Sequence, residues 1–224
     1  YKPKMIISGT TSYSRKINFK KIGEIAKSIE AVHLADISHI AGLVVTGFHQ
    51  SPIKYADFIT TTTHKTLRGI RGGIILSDNI KYEKLINSAI FPHFQGGSQP
   101  NMIAAKAVCF SEALKPSFKI YIKSVLSNTK YMCTKLQKLG FKIVSNGTDN
   151  HLFVIDFNNE KFDGRQFADE LEKEGIIVNA NTVPGDKGTP FRPKGIRIGL
   201  ALETTRKIKL KQIDNICEKI FGVY

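Results

Sequence analysis

Thr60-Thr61-Thr62-Thr63-His64-Lys65-Thr66-Leu67-Arg68-Gly69, followed by Ile70-Arg71-Gly72-Gly73, is the stretch on which the reading of the chain turns. Its threonines are β-branched and suit a strand, and its glycines mark a turn before the next apolar run, Ile74-Ile75-Leu76. A lysine held between a strand and a glycine turn, with a histidine directly before it, is placed as a reagent rather than as a solubilising charge. Upstream, Val32-His33-Leu34-Ala35-Asp36 reads as a strand ending on a carboxylate, and Ala56 to Thr60 as another. Ile37 to Val45 between them is a short apolar helix or turn. Strand, helix and strand with short links predict an α/β layer with a mainly parallel sheet, to which Arg71 to Leu76 adds a further strand. Ligands of such sheets sit at the carboxyl ends of the strands, where Asp36 and Lys65 both fall.

Working outward, Lys4-Met5-Ile6-Ile7 reads as a buried strand leading into the polar turn Ser8 to Ser12. The chain opens on Tyr1 without a methionine, as if entered midway. Asn18 is a suitable N-cap for a helix running to Ile29, with Ile22, Ile25, Ala26 and Ile29 on one face. Beyond the central stretch, Tyr82, Leu85, Ile86 and Ile90 share a helical face, and Phe91 to Pro100 interrupts it as a loop. Met102 to Leu114 and Phe118 to Leu139 read as helices joined at Lys115-Pro116, the second stopped by Gly140. A boundary near 113–118 gives a first domain over 1–114 and a small α+β domain over 115–224. In the latter, strands are predicted at Phe141 to Val144, His151 to Phe157, Ile176 to Val178 and Ile196 to Ile198. Helices are predicted from Gly164 to Glu174 and from Arg206 onward.

The chain has 224 residues, 42% of them hydrophobic, enough for one or two domains with a real core. Its apolar runs are too short to cross a bilayer, so no membrane partner is expected. Cys109, Cys133 and Cys217 are widely spaced, which fits buried thiols in a reducing compartment, the cytoplasm, rather than a disulfide framework or a zinc site. Lys and Arg outnumber Asp and Glu by 33 to 19, a formal charge of +14. A nucleic acid or another polyanion would read that charge; so would water, because the lysines are scattered along helical faces rather than run together, and the solvated reading is preferred.

A carboxylate and a lysine at neighbouring strand ends serve pyridoxal phosphate chemistry: an amine condenses with the cofactor's aldehyde, and a carboxylate keeps its pyridine nitrogen protonated so that the ring withdraws electrons. Taken singly, Asp36 is equally a turn residue and Lys65 a surface cation. The histidines tip the balance, since His39 lies three residues after Asp36 and His64 adjoins Lys65, where imidazoles can bond the cofactor's phenolic oxygen or move protons near neutral pH. A metal centre lacks the ligand spacing it needs.

The segments Asp36-Ile37-Ser38-His39-Ile40-Ala41-Gly42-Leu43-Val44 and Thr60 to Gly69 together resemble the serine hydroxymethyltransferases. The similarity continues through Phe91-Pro92, Gln95-Gly96-Gly97, Gly147 to Leu152, Val178 to Pro184 and Gly195 to Gly199, so it covers essentially the whole chain in order. It implies an aspartate-aminotransferase-like enzyme of fold type I, with residues 1–114 the C-terminal part of the large domain and 115–224 the small domain, truncated at its end. By the same resemblance Lys65 carries pyridoxal phosphate covalently, Asp36 pairs with its pyridine nitrogen, and His39 contacts its phenolic side. Thr62 and His64 line the reaction centre, Thr11 and Ser38 contact the cofactor, and Arg71 supports the surrounding loop. Arg197 binds the amino acid's carboxylate through its two-pronged donor geometry, and Asn181 contacts tetrahydrofolate. Gly96 and Gly97 reach the phosphate of a neighbouring subunit, which implies a homodimer with shared sites.

The implied reaction is reversible transfer of serine's hydroxymethyl carbon to tetrahydrofolate, giving glycine and methylenetetrahydrofolate. A folate-independent aldolase of the threonine aldolase kind is the nearest alternative; a non-catalytic basic relative that binds nucleic acid is a more distant one. Several positions depart from the family pattern. Thr11 stands where a serine is usual, and Ser38 puts a hydroxyl where an alanine packs on the ring. Ser98 to Asn101 and Leu200 to Glu203 are also unusual. Family members are longer, and the phosphate cradle, the ring-stacking histidine and the glutamate and tyrosines that act on the hydroxymethyl group fall outside these residues. The 224-residue chain is therefore expected to be inactive by itself.

Overall fold

Three short stretches, β1 (Met5–Ser8), β2 (Val32–Asp36) and β3 (Phe58–Thr62), lie side by side and parallel, in a computed structural model that describes all residues from Tyr1 to Tyr224. A fourth strand, β4 (Gly73–Leu76), completes the sheet in the order β1-β2-β3-β4. β4 runs antiparallel to β3. A parallel return needs a crossover of roughly a dozen residues or more, and the link from Thr63 to Gly72 is a turn without a helix. The sheet is thus mixed and mostly parallel within an α/β arrangement.

The chain divides into two compact units, one of Tyr1–Thr11 with Ile17–Lys119 and the other of Ser12–Lys16 with Ile120–Tyr224. In the first, α1 (Phe19–Ser28) starts where predicted, with the Asn18 side chain accepting from the Lys21 amide. It buries Phe19 and Ala26 but leaves Ile25 and Ile29 exposed, so the predicted apolar face is only half used. α2 (Ala41–Val45) buries Ala41, Gly42 and Leu43. The predicted buried strand at the start is an edge strand instead: Ile7 is 69% exposed and Met5 44%. β3 begins two residues later than the predicted strand and takes in Thr61 and Thr62, since its register is fixed by Asp36 pairing with Thr60. After β4 come α3 (Ile80–Ser88), an irregular turn over Ala89–Phe94, and α4 (Pro100–Ala113). Phe91 leaves helical geometry just before Pro92, as the residue before a proline is driven to do.

α5 (Pro116–Lys138) passes into the second unit at Ile120. There β5 (Ile143–Val144), β6 (Leu152–Asp156), β7 (Asn179–Ala180) and β8 (Gly195–Gly199) form an antiparallel sheet in the order β5-β6-β8-β7. α6 (Gly164–Lys173) is opened by a capping box between Asp163 and Gln166 and buries Phe167, Ala168 and Leu171 against the sheet. α7 (Ala201–Thr205), which the sequence did not announce, precedes α8 (Leu210–Val223), whose Ile213, Cys217 and Ile220 close the same core. Full burial of each of the large side chains among them, Phe167, Leu171, Ile213 and Ile220, is worth about 1.5–3 kcal/mol. No strand forms at Ile176 to Val178. The Ile176 amide is spent on the Leu171 carbonyl at 2.9 Å, ending α6 through Gly175 at φ +77, and pairing with β8 begins only at Asn179. No helix in either unit is long and apolar enough to cross a membrane.

Candidate active site

In the first unit the carboxyl ends of β2 and β3 are tied together by side chains. The Asp36 carboxylate accepts the Thr60 hydroxyl at 2.7 Å and the Ser38 hydroxyl at 3.2 Å on Oδ2, and the Ser38 amide at 3.0 Å on Oδ1. The Ser38 hydroxyl in turn accepts the Thr62 amide at 3.0 Å. An ionised carboxylate offers about four acceptor positions. Two donors on Oδ2 and one on Oδ1 leave Asp36 one open position on Oδ1, and the residue is only partly buried.

The threonine run follows the two-residue period of a strand. Thr60 and Thr62 face the end of β2, where the Thr62 hydroxyl reaches the Ser38 carbonyl at 3.4 Å. Thr61 and Thr63 are buried on the other side. Thr63 frames the turn that carries Lys65: its amide donates to the Gly72 carbonyl at 2.9 Å, its hydroxyl to the Ile70 carbonyl at 2.6 Å, and its carbonyl accepts the Gly69 amide at 2.8 Å. Arg68 takes φ +62 to make that turn. A β-carbon at Gly69 would stand 2.4 Å from Cys109 Sγ on α4, so only glycine closes it. Burial pushes the Cys109 thiol up and Glu112 adds to this, outweighing Arg68, so the sulfur packs as a neutral thiol.

Lys65 is partly buried in this turn, and its ammonium makes no hydrogen bond or ion pair. The next residue, Thr66, is 1% exposed, and its hydroxyl donates to the His39 carbonyl at 2.9 Å while accepting the Gly42 amide at 3.0 Å. It thereby caps a first-turn amide of α2 and fastens the His39 segment to the Lys65 turn. Nδ1 of His64 is buried without a partner. Thr11 is exposed in the turn that leaves β1, next to Gly9, whose backbone passes so close that a β-carbon would lie 2.5 Å from the Asp36 carbonyl oxygen. Arg71 is exposed. Gly96 and Gly97 lie in an exposed loop, and nothing in the chain comes within 4 Å of where their β-carbons would be.

The remaining predicted site residues belong to the second unit. Arg197 is partly buried on β8, between the core residues Ile196 and Ile198, and donates to Asn179 Oδ1 on β7 at 3.3 Å. Burial draws its guanidinium below the ordinary value. Asn181 follows β7; its amide donates to the Gly195 carbonyl at 2.8 Å and its side chain to the Thr182 carbonyl at 2.6 Å. The loop beyond is gathered by Asp186, whose carboxylate accepts the amides of Gly188 at 2.7 Å, Val183 at 3.1 Å and, on both oxygens, Lys194 at 3.3 and 3.0 Å. Burial pushes the Asp186 carboxyl up, but those amides and the Lys194 ammonium together outweigh it and hold it below the usual value. No group of His, Cys, Asp or Glu is arranged to hold a metal ion.

A family model described as serine hydroxymethyltransferase matches residues 1–220. The chain belongs to the serine hydroxymethyltransferase family. Proteins named serine hydroxymethyltransferase from two Leptospira biflexa serovar Patoc strains are each 50% identical over 216 residues, 96% of this chain and 52% of theirs. The chain thus spans about half the length of these curated relatives.

Family membership does not by itself explain what holds the site together, and here the sequence reading missed several residues. Thr60 was legible: if Thr62 faces the site, so does its neighbour two positions back. Thr63 and Thr66 had no such signal, because their partners are carbonyls that only the folded turn brings near. The inward direction of the Ser38 hydroxyl was hidden for the same reason.

Proposed function

We propose that the protein of which this chain forms at least part is a pyridoxal-phosphate-dependent serine hydroxymethyltransferase of fold type I, moving the hydroxymethyl carbon of serine to tetrahydrofolate. The observation that carries this reading is the placement, at the carboxyl ends of the adjacent parallel strands β2 and β3, of a carboxylate, Asp36, that keeps one acceptor position open and a partly buried Lys65 amine that makes no hydrogen bond or ion pair. The cofactor fits these residues: an amine, an anionic oxygen and the orphaned His64 Nδ1 are three polar groups prepared for a ligand rather than for one another.

Bound there, pyridoxal phosphate would supply an electron sink for the bond that breaks at the amino acid's α-carbon. Lys65 holds the cofactor through its amine, and Asp36 presents its open Oδ1 position to the pyridine nitrogen. His39 attends the phenolic side with Thr11, and His64 and Thr62 line the reacting face. Arg197 receives the substrate carboxylate; burial strengthens its pull on an anion by lowering the local dielectric. Asn181 meets the folate. Gly96 and Gly97 serve a neighbouring subunit of a homodimer, which is supported by their lack of any steric need within this chain. A cytoplasmic setting is supported by three buried free thiols.

The test is conversion of serine and tetrahydrofolate to glycine and methylenetetrahydrofolate by the protein as its gene encodes it. Wild-type activity that disappears in Lys65→Ala supports the reading. Activity that survives Lys65→Ala, or cleavage of threonine without any folate-dependent reaction of serine, overturns it.

A further inference from the structure

We propose that Ser38 is a positioning residue, whose hydroxyl clips the Asp36 carboxylate to the Thr62 amide and so fixes which carboxylate edge faces the ligand. The inference rests on the functional reading of Asp36 given above, and deepens it.

A hydroxyl has one hydrogen to give and two lone pairs to receive with. Ser38 is 7% exposed and spends both capacities inward: it donates to Asp36 Oδ2 at 3.2 Å and accepts the Thr62 amide at 3.0 Å. Its own amide holds Oδ1 at 3.0 Å, so the two donors of one residue grip both oxygens and oppose rotation of the carboxylate. The need for such a clip follows from the sheet. The ladder between β2 and β3 ends with Asp36 opposite Thr60 and a last bond from the Ile37 amide to the Thr60 carbonyl at 2.9 Å. Beyond that point the chain turns away toward α2, and no β2 carbonyl remains for Thr62. The Ser38 side chain takes the place of that missing carbonyl. It therefore couples the carboxylate on β2 to the residue on β3 that lines the reaction centre, a coupling an alanine could not make. With Oδ2 occupied by Ser38 and Thr60, the open position is confined to Oδ1.

The test compares wild type, Ser38→Ala and Ser38→Thr in the full gene product stripped of ligand. Two quantities are read: equilibrium affinity for pyridoxal phosphate, and hydrogen exchange of the peptide containing Thr62 without any ligand. Ser38→Ala is expected to weaken cofactor binding roughly tenfold and to speed Thr62 exchange roughly tenfold, the cost of one lost hydrogen bond to a charged group and one orphaned amide. Ser38→Thr, which keeps the hydroxyl, is expected to recover most of both. Affinity within about threefold of wild type in Ser38→Ala overturns the proposal whatever the exchange does, as does weakened affinity with unchanged exchange. If wild type takes up no pyridoxal phosphate, the functional reading fails and takes the ligand half of the proposal with it, while the exchange result still decides whether the clip exists.

Discussion

Asp36 in the first unit and Asp186 in the second are both gathered in by donors from their own neighbourhood, and they differ in what is left over. Asp186 has every acceptor position taken, two contacts on each oxygen, all from backbone amides of the loop it organises. Asp36 is held mainly by hydroxyls of Ser38 and Thr60 and retains a vacancy. A carboxylate saturated by amides is a knot in the chain; one restrained by side chains and left unsaturated is a tool. Counting acceptor positions separates the two roles where charge and burial alone do not.

The largest effect is expected from Asp36→Asn, which removes the charge that the pyridine nitrogen would meet. Serine-dependent turnover should fall by about a hundredfold or more, the scale of losing one preorganised electrostatic partner. Turnover within about tenfold of wild type would break the contrast, because Asp36 would then be no more a tool than Asp186. Next comes Gly9→Ala. Its new β-carbon would stand 2.5 Å from the Asp36 carbonyl oxygen and 2.9 Å from the Asp36 β-carbon, so the strand end must shift. Overpacking of this kind costs about 1–3 kcal/mol, and we expect it chiefly as about a tenfold loss of cofactor affinity, measured by titration of the ligand-free protein.

Asp186→Asn should do the reverse, leaving cofactor uptake by the first unit unchanged while loosening the loop from Val183 to Lys194. The expected cost is about 1 kcal/mol, at the low end for a charged acceptor because solvent screens a partly exposed site. Limited proteolysis within 184–192 would report it. The smallest effect is on acidification. Because folding lowers the Asp186 value, its contribution is complete above the ordinary 3.8 and is lost as the pH falls below that toward the folded value. Exchange of the Gly188 and Lys194 amides should acquire an additional acid-dependent step in that range, and Asp186→Asn should remove it.

The parts of the fold legible in the sequence are those that local chemistry dictates. Asn18 capping α1, Gly140 after α5 and the strand ending on Asp36 are each written in a few adjacent residues. The direction of β4 was not, because the same apolar run fits either direction and only the short Thr63 to Gly72 link decides. The apolar triplet Ile176-Ile177-Val178 misled for a similar reason: its hydrophobicity suggested a strand, but the end of α6 claimed its first amide. In the site, the residues carrying charge or nitrogen stood out by type. Those that hold them, Thr63 and Thr66, look like any other polar residue until the turns close around them.

Residues 12–16 belong to the second unit although the chain on both sides of them belongs to the first. Arg15 pins them there, donating to the carbonyls of Ser145 and Asn146 and pairing with Asp149 at 3.1 Å, while Asp149 returns its amide to Ser14 at 2.9 Å. A cut after Lys119 would therefore not liberate an intact second unit, since a piece starting at Ile120 leaves its Arg15 behind. In synthesis the order is also inverted: Arg15 is made 130 residues before Ser145, so this part of the second unit stays unfinished until that later stretch is made and then closes back on it.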